Sequence, residues 1–283
     1  GLLHDRSASG STVYIEPYAV VEMNNEIRAL KAEEQAECER ILQGFTFDIS
    51  GVCGHIRNSC AVVTRLDCIF ARARYARDIK AVMPVYSDDG VVDIIRGRHP
   101  LIDRKKVVPV SVKLGDEYSV IIISGPNTGG KTVTLKLCGL FALMSACGLF
   151  LPCEEGSRMS YFSAVYSDIG DDQSIELALS TFSSHVVNVA RILKNADGKS
   201  LVLLDELGAG TDPAEGSALA VACVEKLLEK GCRCIVTSHF DELKSFSSHT
   251  KGVINASMDF DPNTFAPTYK LLMGVAGSSN ALE

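Results

Sequence analysis

The residues with the clearest chemical meaning form a glycine-rich segment that follows a run of apolar residues. In YSVIIISGPNTGGKT, glycines at positions 125 and 130 precede Lys131 and Thr132. Glycine lets backbone N–H groups curl around phosphate oxygens, and the N-terminus of a following helix adds partial positive charge. At this spacing the lysine reaches the β- and γ-phosphates of a nucleotide, and the threonine hydroxyl can ligate Mg²⁺. Unless this is an ordinary glycine turn between strand and helix, the phosphate site comprises Gly125, Pro126, Asn127, Thr128, Gly129, Gly130, Lys131, Thr132 and Val133.

Two adjacent carboxylates, Asp205 and Glu206, end the apolar run SLVLLD. Burying unpaired carboxylates is costly, so they require either a cation or a position at the edge of a sheet. Open parallel sheets bind ligands at the carboxyl ends of their strands, where the phosphate segment also lies. Asp205 therefore suits Mg²⁺, and Glu206 suits orienting or deprotonating the attacking water. The alternative is an acidic strand end that is simply solvated.

Two further polar residues are candidates for the same edge. His239 follows the strand-like CRCIVTS, and a neutral imidazole there could contact the γ-phosphate or the water. Gln173, in DDQS between the two main motifs, is a candidate contact to the water or the metal. Local sequence leaves both of them open, because a single polar residue after a strand is often only part of a loop.

The segment STFSSHV, residues 180–186, opens a helical pattern without any acidic residue in its first turn. No capping box forms there, and no carboxylate complements the helix dipole. This helix end can therefore bind an anion. Because the phosphate segment already serves the same chain, a second anion-binding helix end would act across a dimer, with Ser180 contacting the partner's phosphate. From the residues alone, capping and phosphate binding in trans remain equally open.

The elements that must position these residues fall into two segments. Residues 1–82 hold a small-residue loop and two helical patterns that meet near positions 44–51, which predicts two long helices packed as an antiparallel arm. From residue 83 strands and helices alternate, which predicts an α/β domain with a mixed, mostly parallel sheet flanked by helices. The sequence lacks an initiator Met and ends where a helix would begin, so we expect a fragment of a longer protein.

Composition narrows the function classes. The net charge of −7 gives no global basic surface for nucleic acid. The ten cysteines include no C-x-x-C pair, so we expect reduced core thiols and no metal role for them. The longest nearly apolar run, Leu137 to Leu151, has 15 residues and is too short to span a bilayer, and no stretch resembles a signal peptide. We therefore expect a cytoplasmic protein without a membrane partner.

The motifs GPNTGGKT, STFSSH, DELGAGTDP and TSHF, in this order, resemble the ATPase domain of the MutS family, which belongs to the ABC-type ATPases. HDRSASGSTVYIEP, RGRHPLID and GAGTDPAEG are similar to the type-two branch rather than the mismatch-repair branch. The resemblance covers essentially the whole chain. It implies a P-loop ABC-type ATPase domain over residues 83–283, truncated at its C-terminal helix, and a helical lever segment over residues 1–82.

The same resemblance implies site residues for ATP and Mg²⁺. In the family ATP lies between two protomers of a homodimer, with Ser180 completing the partner's site and with Glu206 and His239 acting in hydrolysis. Val107 and Val108 would lie near adenine, although the mismatch-repair relatives have Asn where Val110 stands.

The resemblance also implies partners. The branch is known for suppressing recombination by binding branched or mismatched DNA, and for acting on collided or stalled ribosomes and their rRNA. A dimer scaffold that ATP locks without hydrolysis is a further alternative. The nuclease function of the branch belongs to a C-terminal Smr domain that residues 1–283 do not resemble, so we expect no nuclease activity from them.

For the anion-binding reading of residues 180–186, we predict the effect of Ser180→Arg. The variant should fold and bind ATP at its own phosphate segment, but ATP should no longer induce dimerisation, because the long side chain replaces the hydroxyl that would contact the partner's phosphate. Sedimentation velocity with and without ATP measures this. Loss of thermal stability with normal dimerisation would instead make Ser180 a helix cap.

Overall fold

The structure, a computed structural model, divides the chain into two units, Gly1–Ile69 and Phe70–Glu283. It describes residues 1–6, 11, 13–126, 129–170, 181–261, 264 and 267–275. Within these ranges, no helix has both the length and the apolar character that a membrane crossing requires.

The first unit contains a β-hairpin and most of one long helix. β1 (Leu2–Arg6) pairs antiparallel with β2 (Val13–Glu16), and α1 runs without interruption over Tyr18–Asp78, a length of 61 residues. The predicted antiparallel arm of two helices is therefore wrong. Glycines near the middle of this segment suggested a loop, but a glycine costs only about 1 kcal/mol in a helix relative to alanine. No proline lies within α1 to break the backbone ladder.

The continuous α1 predicts that its internal glycines can be replaced with a gain in stability. A Cβ added at Gly44, Gly51 or Gly54 meets nothing within 4 Å. The triple alanine variant should raise the free energy of unfolding by about 2 kcal/mol or more, because each Gly→Ala change restricts the unfolded chain. Chemical denaturation followed by circular dichroism measures this. A loss of stability would instead indicate a turn in this segment.

The second unit is an α/β domain built on a six-stranded sheet. The strands follow the order β12, β11, β6, β10, β9, β8, and all neighbours are parallel except β11 and β12. The sheet consists of β6 (Val120–Ser124), β8 (Ala164–Asp168), β9 (Ser200–Leu204), β10 (Arg233–Thr237), β11 (Val253–Phe260) and β12 (Pro267–Met273). The predicted α/β class with a mixed, mostly parallel sheet is confirmed.

A smaller sheet and four helices complete this unit. The four-stranded sheet has the order β3, β7, β4, β5, with β3 (Val85–Ser87), β4 (Val92–Gly97), β5 (Val110–Leu114) and β7 (Arg158–Ser160). The helices are α2 (Lys131–Ala146), α3 (Thr181–Asn195), α4 (Pro213–Glu229) and α5 (Asp241–His249). Of these elements, the sequence patterns did not indicate β3, β7 or α5, which are short.

Two hydrophobic clusters lie on opposite faces of the large sheet. All five residues of β6 and of β9 are buried, as expected for central parallel strands covered on both sides. Ile121 and Ile123 contribute to the cluster shared with α2 and the small sheet, whereas Val120 and Ile122 contribute to the cluster shared with α3 and α4. Because β6 packs on both faces, its place in the sheet is fixed, and so is the start of the segment that follows it.

Candidate nucleotide-binding and hydrolysis site

The sequence motifs meet because their strands end at one edge of the large sheet. β10 pairs in parallel with β6 on one side and with β9 on the other, so that Thr237 lies opposite Ile123 and Val236 lies opposite Leu204. β8 follows beyond β9, with Asp168 also opposite Leu204. The segments that follow these strands therefore share the carboxyl edge, where ligands of open parallel sheets bind.

The turn between β6 and α2 has the geometry of a phosphate-binding loop. Gly125 and Gly130 have φ angles of +121° and +97°, a region that favours glycine. α2 begins at Lys131 without a side-chain cap and without an acidic residue in its first turn. Its first backbone N–H groups, which have no partner within the helix, can therefore bind an anion. Asn127 and Thr128 lie outside the described residues.

Lys131 is a buried cation at the base of this loop. Its side chain belongs to a residue that is only 1% exposed, and Nζ donates to the Gly125 carbonyl oxygen at 2.5 Å. Burial lowers its pKa to about 8, although the negative charges of Glu206 and Asp205 oppose this shift. A phosphate in the loop would supply the counter-charge that a buried ammonium needs.

A single hydroxyl from β10 contacts both the Asp205 carboxylate and the backbone N–H of Glu206. Thr237, fully buried, donates through Oγ1 to Asp205 Oδ1 at 2.5 Å and accepts from the Glu206 N–H at 2.8 Å. Glu206 has a φ of +50°, which is rare for a residue with a side chain. Asp205 N–H donates to the Asp168 carbonyl oxygen at 2.8 Å. These contacts fix the backbone of both carboxylates.

His239 lies between the lysine and the second carboxylate. Its Nε2 is 3.1 Å from Lys131 Nζ and 3.8 Å from Glu206 Oε1. The Lys131 ammonium can donate to Nε2 in the tautomer of the neutral ring that carries its proton on Nδ1. Burial and the charge of Lys131 lower the pKa of His239, while Glu206 opposes the shift. A neutral imidazole therefore stands beside the phosphate loop.

An apolar cavity of about 240 Å³ adjoins the loop. Val107, Val108 and Val110 line it from one side, and Gly130 and Tyr269 from another. Tyr269 packs closely on the loop, because a Cβ added at Gly130 would lie 3.1 Å from its ring. This cavity can receive a planar, largely apolar base. No local pattern in the sequence indicates Tyr269, which comes from the distant β12.

The turn after Glu206 lies in backbone contact with α4. Gly208 has a φ of +86°, and a Cβ added there would overlap the carbonyl oxygen of Gly216, while a Cβ on Gly216 would overlap that of Gly208. Asp212 is the N-cap of α4, and its Oδ1 accepts from the Ala214 N–H at 2.9 Å. The first turn of α4 therefore supports the turn that carries Glu206.

Comparison with known proteins identifies the family. Residues 121–283 match the family model described as MutS domain V. The chain belongs to the MutS family. It is 52% identical over 283 residues to Endonuclease MutS2 of Clostridium botulinum strain Loch Maree and of Clostridium acetobutylicum, and 51% identical to that of Geobacillus sp. strain WCH70. Each match covers 100% of this chain and 36% of the relative, so the chain spans about a third of the length of these relatives.

The relatives confirm the type-two branch that the motifs indicated. The structure describes some of the predicted site residues of this MutS-family chain and not others. It brings together Lys131, Asp205, Glu206 and His239 at one sheet edge. Ser180 and Gln173 lie outside the described residues. Thr132 stands in the first turn of α2, which is where a hydroxyl ligand of Mg²⁺ would be needed.

A polar cluster joins the start of α3 to the carboxyl edge of the large sheet in this MutS-family domain. The sequence did not indicate this cluster. The Asp168 carboxylate lies 2.8 Å from His185 Nδ1 through Oδ2 and accepts from Asn188 Nδ2 at 2.8 Å through Oδ1. The same residue receives the Asp205 N–H through its carbonyl oxygen. The beginning of α3, which contains most of the segment STFSSHV, is therefore linked by hydrogen bonds to a candidate Mg²⁺ ligand.

The described residues contain no group of three or more His, Cys, Asp and Glu side chains that could hold a metal ion by themselves. In a nucleotide site, phosphate oxygens and waters supply most ligands of Mg²⁺, so the protein need contribute only one or two. Thr132 and Asp205 would then contribute the protein ligands.

The bridging hydroxyl of Thr237 predicts a specific effect of Thr237→Val. The variant keeps the shape of the side chain but leaves the Glu206 N–H without its acceptor, which should lower the free energy of unfolding by about 1–3 kcal/mol. Mg²⁺-dependent ATP turnover should fall about tenfold or more, because Asp205 and Glu206 lose their common support. Thr237→Ser, which keeps the hydroxyl, is the matched control. Equal turnover by the Val and Ser variants would show that the hydroxyl does not position the carboxylates.

Proposed function

We propose that this chain binds Mg²⁺·ATP and hydrolyses it. One observation carries the proposal: the Lys131 ammonium, the His239 imidazole and the Glu206 carboxylate lie together beside the phosphate loop. A nucleotide-binding protein without turnover needs the loop and the lysine. Glu206 follows the proposed metal ligand Asp205 and has a left-handed backbone. A carboxylate at this position is needed only when a water must be oriented.

Each residue has a role in this mechanism. The α2 N-terminus and Lys131 bind the β- and γ-phosphates and neutralise the charge that develops on their oxygens. Glu206 accepts a hydrogen bond from the attacking water and then its proton, as the water oxygen bonds to the γ-phosphorus and the bond to the ADP oxygen breaks. His239, neutral and accepting from Lys131, holds the ammonium toward the γ-phosphate. Thr132 and Asp205 would hold Mg²⁺, which would supply neutralisation of the phosphate charge.

Adenine is the base that the apolar cavity suits. Its walls are mainly aliphatic, and Tyr269 adds an aromatic surface next to Gly130. Aromatic and aliphatic walls with few polar groups favour a flat, weakly solvated base. Val107 and Val108 line this cavity, which supports the contacts that the family resemblance implies.

We further propose that two copies of the ATPase domain close on ATP. α3 begins at Thr181 without an acidic residue in its first turn, so this helix end can accept a phosphate from a partner. Ser180, Gln173 and the remaining loop residues Pro126, Gly129 and Val133 complete the proposed ATP contacts. The bonds from Asp168 to His185 and Asn188 would link closure at α3 to the position of Asp205.

The proposed cellular role is the coupling of this closure to binding of branched or mismatched DNA, which would suppress recombination in the cytoplasm. Action on collided or stalled ribosomes is the second candidate, since both belong to the branch that the motifs indicate. Endonuclease is the printed name of the relatives, and we do not propose that activity for residues 1–283. ATPase stimulation of the full-length protein by four-way DNA junctions, compared with stimulation by stalled ribosomes, separates the two partners.

Glu206→Gln tests the catalytic proposal. Steady-state ATP hydrolysis should fall by about 10²–10³, because the amide cannot take the proton of the water. ATP affinity, measured with a fluorescent analogue, should remain within about threefold of the wild-type value, since the phosphate loop is untouched.

Glu225→Gln is the matched control, because it neutralises an exposed carboxylate of α4 away from the loop. Its turnover should equal that of the wild type. If the wild-type chain binds ATP and dimerises but shows no turnover, the ATP-locked scaffold replaces the enzyme as the function.

A further inference from the structure

A second cavity, of about 240 Å³, lies beside the proposed adenine cavity and is lined by cations. Lys80, Arg98 and Arg104 contribute three positive charges to its lining, and no carboxylate does. The remaining lining is mostly apolar or weakly polar: Ile79, His99, Pro100, Ile102, Val107 and Pro152. In a chain with a net charge of −7, this is a local concentration of positive charge.

Among the residues that the structure describes, these cations are not balanced by a carboxylate. Within the described part of the chain, no carboxylate forms an ion pair with Lys80, Arg98 or Arg104. The neighbouring Arg96 differs, because its Nε lies 2.7 Å from Glu154 Oε1. Three like charges around one concave surface repel one another, and an anion between them would relieve that repulsion.

The backbone at Lys80 gives an independent indication of function. Lys80 follows α1 in a left-handed conformation, with a φ of +50°. The Ala81 N–H donates to the Ala76 carbonyl oxygen at 2.8 Å, and the Lys80 N–H donates to the Arg77 carbonyl oxygen at 3.2 Å. This is the Schellman pattern, in which the left-handed position is usually glycine. A lysine here carries a conformational cost that glycine would avoid, and strained positions of this kind cluster at ligand sites.

We propose that this cavity binds the phosphate group of a small phosphorylated ligand, at a site separate from the phosphate loop. Arginine and lysine donors that line one cavity suit the several oxygens of a phosphate. The apolar walls beside them suit an organic part attached to it. The proposal does not depend on ATP hydrolysis by the chain.

The shape favours a small ligand over a polynucleotide. A nucleic acid backbone is bound by cations spread along an open surface, whereas these three line one cavity of limited volume. The cavity also shares His99, Ile102 and Val107 with the proposed adenine cavity. A ligand here would therefore contact the same loop that receives the base, which makes the site suited to adjusting nucleotide affinity.

The test is a titration of the chain with inorganic phosphate by isothermal calorimetry, at constant ionic strength and with the phosphate loop saturated by Mg²⁺ and a non-hydrolysable ATP analogue. The wild type should show one binding site under these conditions. Arg104→Gln should weaken phosphate binding about tenfold, as expected for the loss of one charge-assisted hydrogen bond. Lys105→Gln removes an adjacent exposed cation that does not line the cavity, and it should leave the affinity unchanged.

Lys80→Gly separates a binding role from a structural one. Because glycine suits the left-handed position, this variant should be at least as stable as the wild type in thermal unfolding, yet bind phosphate about tenfold more weakly. Equal weakening by Lys105→Gln and Arg104→Gln would reduce the effect to diffuse surface charge and overturn the proposal. Absence of phosphate binding when the loop is saturated would overturn it as well. So would Arg104-dependent binding of a single-stranded oligonucleotide without binding of phosphate.

Discussion

The shared carboxyl edge of β6, β10 and β9 is the constraint on which the site depends. The phosphate loop, the carboxylate pair and the histidine come from segments far apart in sequence, and only the parallel pairing of these strands brings them together. The Thr237 hydroxyl then links the end of β10 to Asp205 and Glu206, which follow β9. Because Thr237 is fully buried, water cannot compete for either bond.

Burial of Lys131 makes the same edge electrostatically responsive. Its ammonium is shielded from water and contacts a loop carbonyl and an imidazole. Neither of these groups carries a full negative charge. The pKa of about 8 records this loss of solvation. An anion in the loop would restore the balance, so the lost solvation of the lysine would favour phosphate binding in addition to the hydrogen bonds formed.

Sequence reasoning predicted the position of a residue correctly where that position follows from the local pattern. The apolar runs of β6 and β9, and the polar residues after them, were enough to predict an α/β sheet and to expect Lys131, Asp205 and Glu206 at its edge. It failed for α1, because glycines near position 50 could mark either a loop or a tolerated helical position, and only the intact backbone ladder decides.

Long-range contacts account for the other omissions. Thr237 was part of a recognised motif, yet its bond to Asp205 spans 32 positions and leaves no local pattern. Tyr269 reaches Gly130 from a strand more than a hundred residues later, and Asp168 reaches His185 from another element. Sequence spacing does not indicate such contacts, because they depend on which strands become neighbours in the sheet.

The contact between Gly208 and Gly216 has a consequence for how this domain can change over time. Backbone meets backbone there, so no adjustment of a neighbouring side chain can make room for a Cβ on either residue. A clash between side chains can be relieved by a compensating substitution, but this pair of backbones offers no such route. The distance between the Glu206 turn and α4 is therefore fixed by the two backbones. New activities on this scaffold must arise from the loops around that contact.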